Sequence, residues 1–120
     1  MSRHIVVAKF GGTSIADAAQ FRKISKIVHE NPERRFIVVS APGKRFPEDK
    51  KITDLLLDSY ENAIAGESFT DEMEQIKTRF REILTDLNID FPLEEEIRHL
   101  TKSLSSNPKR DYTASRGEYL

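Results

Sequence analysis

Lys9-Phe10-Gly11-Gly12-Thr13-Ser14 brings a cation, two glycines and two hydroxyls together directly after the apolar run Ile5-Val6-Val7-Ala8. Such a hexad can hold a phosphate. Glycines let the backbone approach an anion and reach positive φ, and the N–H groups at a helix start favour negative charge. Lys9 adds a full charge on a mobile stem. The order of residues separates this hexad from two commoner phosphate loops. The P-loop lysine follows its last glycine, and the dinucleotide-binding turn has a third, spaced glycine that is missing here. Read locally, the same residues also describe a plain strand-to-helix turn, with Ser14 as a cap and Lys9 solvated.

Three further places carry polar groups beside turns or helix ends. Ser40-Ala41-Pro42-Gly43 closes a second apolar run, Phe36-Ile37-Val38-Val39. Thr53-Asp54 stands where a helix should open, and Ser115-Arg116-Gly117-Glu118 lies near the last residue, Leu120. By themselves Ser40 and Thr53 also read as a turn hydroxyl and an N-cap, and Glu118 as a solvated helix residue. His4, His29 and His99 have no ligand-like spacing and the chain has no cysteine, so no protein metal site is indicated.

These groups need elements to position them. The two β-branched runs, 5–8 and 36–39, read as parallel strands buried on both faces. Between them, residues 14 to about 30 carry apolar side chains at helical spacing, with Ser14 and Asp17 resembling a capping box and Asn31-Pro32 as the stop. A strand–helix–strand unit puts both strand ends on one side of the sheet, so the two turns can face one ligand. Residues 44–51 form a charged loop, able either to lie over the site with Lys44 or Arg45 or to stay in solvent as a mobile loop. A helix is expected from Thr53 to about Ala65, ended by Gly66. A second begins near Thr70 and aligns Met73, Ile76, Phe80, Ile83, Leu84 and Leu87. A third aligns Leu93, Ile97, Leu100 and Leu104, and a last one opens after Asn107 near Pro108.

Composition bounds the rest. The 120 residues are 38% hydrophobic, which suits one modest domain. Nineteen basic and twenty acidic residues leave a net charge of -1, giving no electrostatic argument for nucleic acid or an anionic membrane. The apolar runs are too short to span a bilayer, and the expectation is a soluble, cytoplasmic protein. Two strands do not make an independently stable sheet, and the last helix has no terminator after Leu120. The expectation is therefore a segment of a larger α/β domain.

Taken in order, Lys9 to Ser14 after a strand, Val38-Val39-Ser40-Ala41, Thr53-Asp54 and Ser115-Arg116-Gly117-Glu118 resemble the aspartokinases of the amino acid kinase family. The resemblance extends over essentially the whole chain and corresponds to the N-terminal part of that family's catalytic domain. It implies a three-layer αβα sandwich with a mainly parallel sheet, of which this segment holds few strands and several helices.

The activity the resemblance implies is transfer of the ATP γ-phosphoryl group to the side-chain carboxylate of aspartate, the entry to lysine, threonine and methionine. Magnesium would come with ATP, and the parent protein would be a homo-oligomer with later regulatory domains. Lys9 corresponds to the lysine at the transferring phosphate, and Gly11, Gly12, Thr13 and Ser14 to the rest of the phosphate site. Ser40, Thr53 and Glu118 correspond to aspartate-binding positions, Glu118 pairing with the ammonium group. The family's adenine pocket, acidic residue at the phosphates and carboxylate-binding arginine have no counterpart here, so the segment alone is expected to have little or no kinase activity. A non-catalytic anion-binding or interaction module and another amino acid kinase are the alternatives.

Overall fold

A computed structural model describes residues 4–120 and shows an α/β arrangement in which the turns after the two parallel strands lie at the same end of the sheet. β1 spans Val6–Phe10 and β2 spans Arg34–Val39; they pair in parallel, with Lys9 opposite Val38 and Phe10 opposite Val39. Between them α1 covers Ala18–Glu30, preceded by a short 3-10 turn at Gly12–Ile15. Four helices follow: α2 at Ile52–Ile64, α3 at Thr70–Leu87, α4 at Leu93–Ser106 and α5 at Arg110–Tyr119. The parallel pairing and the amphipathic helices follow the sequence patterns.

The helical stripes make the core. Ile52, Leu55 and Leu56 of α2 pack with Met73, Ile76 and Phe80 of α3 and with Leu93, Ile97, Leu100 and Leu104 of α4. All four apolar positions predicted for α4 are buried, because its four-three-four spacing keeps them on one face. Gly66 does follow α2, at φ 73°, and the Glu67 N–H donates to the Asn62 carbonyl to close the last turn.

Three expectations change. The strands are not buried on both faces: Val7 is 63% exposed and Phe36 59%. The helices bury their apolar faces mainly in one another, which leaves the sheet with little cover. The helix after β1 begins at Ala18 rather than Ser14. Asp17 is its N-cap, accepting from the Gln20 N–H at 3.0 Å, so Ser14 forms no capping box and sits in the 3-10 turn. Thr53 is no N-cap either. Lys51 holds that position, and Thr53 lies inside the first turn of α2.

Candidate functional site

Lys9 leaves the end of β1 exposed, without a hydrogen bond or ion pair among the described residues. Its ammonium is free to meet an anion. The next residues turn sharply, and the Ser14 N–H donates to the Gly11 carbonyl at 3.0 Å. That bond occupies the Ser14 amide, while the amides of Gly11, Gly12 and Thr13 have no acceptor among the described residues. The cradle is thus made by three open amides and a lysine, not by the first turn of a long helix.

The glycines serve a different purpose from the one their types first imply. Gly11 has φ −75°, and among the described residues Gly66 is the glycine at positive φ. What the turn requires is close approach. A Cβ at Gly43 would lie 2.6 Å from the Gly12 carbonyl carbon and 2.8 Å from the Thr13 nitrogen, and the Gly43 N–H donates to the Gly12 oxygen at 2.7 Å. The turn after β2 therefore lies directly on the turn after β1. A Cβ at Gly11 would meet nothing within 4 Å, which leaves that side of the cradle open.

The same contact extends to the two other candidate positions. The Ile52 N–H donates to the Pro42 carbonyl at 3.0 Å, tying the start of α2 to the turn after β2. From α5, Gly117 fits against both: its missing Cβ would be 2.7 Å from Ala41 Cβ and 3.4 Å from Ile52 Cγ2. Ala41, Ile52 and Gly117 are buried. Each is the chain neighbour of a predicted binding residue, Ser40, Thr53 and Glu118 respectively. Distant segments thus meet at Ala41, Ile52 and Gly117. Ser40 and Glu118 also share the rim of a cavity of about 250 Å³ whose walls include Val39, Phe80 and Ile83; Lys9 and Thr53 do not line it. Those apolar walls cannot pair the charges of a zwitterion, so the cavity borders the polar positions without being a complete amino-acid site.

One buried polar residue escaped the sequence reading. Arg79 of α3 is 4% exposed and its guanidinium donates to three carbonyls, Ala16 at 3.0 Å, Gly43 at 2.7 Å and Lys50 at 2.8 Å. Its signal was available: position 79 lies three residues after Ile76 and four before Ile83, inside the apolar stripe. Asp49 lies 3.9 Å away and is held by Arg45 in a two-point pair at 2.7 and 3.0 Å. The Arg45 hydrogen bond pulls the Asp49 carboxyl well below the usual carboxylate range, while burial and then the Arg45 charge lower the Arg79 pKa. The 44–51 loop is accordingly pinned by its charges, and Arg45 is committed to Asp49 rather than free for phosphate. Among the described residues no group of three His, Asp or Glu side chains could hold a metal ion.

No protein-family profile matches the chain. Curated relatives do. Aspartokinase 3 of Bacillus subtilis is 39% identical over 108 residues, covering 87% of this chain and 24% of the relative. The lysine-sensitive aspartokinase 3 of Escherichia coli is 33% identical over 101 residues, covering 84% and 21%. Among solved structures, Clostridium acetobutylicum aspartate kinase superposes with a TM-score of 0.92 at 42% identity, covering 97% of this chain and 27% of that one. E. coli aspartokinase III in complex with aspartate and ADP gives 0.75 at 27% identity, covering 97% and 26%. The chain spans about a quarter of the length of the relatives it matches. By sequence and by fold, the chain belongs to the aspartokinase family.

Proposed function

We propose that this chain is the N-terminal portion of an aspartokinase catalytic domain, the part that holds the transferring phosphate and one side of the aspartate. The observation that supports the reading is the meeting of Ala41, Ile52 and Gly117, the chain neighbours of Ser40, Thr53 and Glu118, together with the contact of Gly43 on the turn that follows Lys9. The relative crystallised with aspartate and ADP superposes on 97% of this chain. In a complete protein the exposed faces of β1 and β2 would be covered by further strands and helices of a three-layer αβα sandwich.

In this reading Lys9 and the amides of Gly11, Gly12 and Thr13 bind the ATP γ-phosphoryl oxygens, with the Thr13 and Ser14 hydroxyls beside them. Phosphoryl transfer needs positioning and charge neutralisation more than covalent chemistry, and a lysine with fixed amides supplies both. An oxygen of the aspartate side chain attacks the γ-phosphorus, the bond to ADP breaks, and aspartyl phosphate forms. With a pKa near about 4 the acceptor is already ionised at neutral pH, so no side chain is required as a base. Glu118 would pair with the substrate ammonium, while Ser40 and Thr53 would offer hydroxyls. Magnesium would arrive with ATP, held mainly by the nucleotide phosphate oxygens. In this reading the parent would act in the cytoplasm as a homo-oligomer. Among the described residues no helix is long and apolar enough to cross a membrane.

A chimera tests this directly. Replacing the matching quarter of the Clostridium enzyme with this chain should give aspartate-dependent ADP release, whereas a folded chimera that binds ATP but transfers nothing to aspartate would overturn the assignment. Chain 1–120 alone should bind polyphosphate without sustained turnover. Substantial aspartate-dependent ADP release by the isolated chain would show that the segment is catalytically complete.

A further inference from the structure

We infer that Arg79 is a positioning residue that sets the relative placement of the phosphate turn and the acceptor side; this rests on the proposed kinase reading for its functional consequence. Its three carbonyl partners belong to two connections. Ala16 follows the 3-10 turn between β1 and α1, while Gly43 and Lys50 lie near opposite ends of the connection between β2 and α2. Candidate site residues lie in or next to these connections: Gly12 to Ser14 before Ala16, Ser40 before Gly43, and Thr53 in the first turn of α2 after Lys50. One planar guanidinium, anchored in the apolar face of α3, therefore references both connections to the same helix.

The link to the cradle is short. Arg79 Nη2 holds the Gly43 carbonyl, and the Gly43 N–H in turn holds the Gly12 carbonyl at 2.7 Å. Gly43 cannot move away from Arg79 without pulling on Gly12. A lysine could not substitute, because its donors radiate from one nitrogen, whereas the arginine fork spreads its N–H groups over separate acceptors. Burying a cation among carbonyls is costly, and packing alone would be better met by an apolar residue at 79. The retained charge fits a demand for placement: Asp49 at 3.9 Å supplies a counter-charge, itself held by Arg45.

Amide hydrogen exchange on chain 1–120 tests the inference without any turnover. In Arg79→Met the Gly43 and Ile52 amides, which join the turns, should exchange at least tenfold faster relative to the Leu100 and Leu104 amides of α4. Arg79→Lys should give a smaller selective acceleration and decides the question if the methionine variant does not fold. A control, Leu100→Ala, should accelerate exchange throughout the helices without singling out those two amides. Uniform acceleration in the Arg79 variants, or unchanged exchange at Gly43 and Ile52, would overturn the inference. Titration with tripolyphosphate separates it from the function: affinity should fall at least fivefold in Arg79→Met. A wild-type chain that binds no tripolyphosphate, together with selective exchange in the variants, would sink the phosphate reading and leave the clamp standing.

Discussion

Gly117 of α5 packs against Ala41 in the turn after β2 so closely that a methyl group at 117 would lie 2.7 Å from Ala41 Cβ. Contacts that short require the backbone to shift, and overpacking a well-filled site costs typically about 1–3 kcal/mol. Gly117→Ala should therefore lower the stability of the chain by that amount in urea unfolding. Ala41→Gly added to it should recover most of the loss, since the two methyls compete for one space. A double variant no more stable than Gly117→Ala would show that the clash lies elsewhere.

Lys9 offers the opposite case, an exposed side chain with no partner among the described residues. Surface changes of this kind usually alter stability by less than about 0.5 kcal/mol. Lys9→Ala should thus unfold at an unchanged temperature yet lose about 10- to 100-fold in tripolyphosphate affinity, the range for one charged hydrogen-bonding contact. Isothermal titration beside a thermal melt reads both quantities. Unaltered affinity would remove Lys9 from the phosphate site.

Glu118 is exposed beside buried Gly117. In the chimeric enzyme Glu118→Gln keeps the shape and removes the charge that would meet the substrate ammonium. The aspartate KM should rise about 10-fold or more while the ATP KM stays within about twofold, because contacts to charged groups contribute about 1.5–3 kcal/mol. Equal rises in both constants would point to a general disturbance of α5.

Asp49 predicts a pH dependence. Its folded pKa is lowered from the ordinary 3.8 because Arg45 hydrogen-bonds its ionised form. A depressed carboxylate pKa stabilises the fold above the unfolded value, and the contribution is lost as pH falls below about 3.8 toward the folded value. Asp49→Asn should therefore be less stable than wild type at pH 7, with the gap narrowing as pH drops from about 4 to about 2. Parallel stability curves across that interval would contradict the assignment.

The helix faces were legible because an amphipathic period is a local property: Leu93, Ile97, Leu100 and Leu104 must share a side of any helix they form. The strand pair was legible for a similar reason, as two β-branched runs separated by one helix pair in parallel. The turn at 9–14 was legible too, because the glycine pair directly after a strand breaks it. Helix starts were less secure. Ser14 and Thr53 are both good caps in isolation, but the chain places Asp17 and Lys51 at the caps, since close contacts between the turns decide where each helix can begin.

What the sequence determined by itself was which residues are chemically able to act, Lys9, Gly11 to Ser14, Ser40, Thr53 and Glu118, and which faces must be buried. How their segments meet was decided by tertiary structure. Ala41, Ile52 and Gly117 lie far apart along the chain, and only packing brings them together. Arg79 shows the same limit: its type and place in an apolar stripe were visible, but its three carbonyl partners meet only once two connections converge on one guanidinium. Local pattern is set by short-range geometry, whereas convergence depends on contacts between distant segments, which no local period encodes.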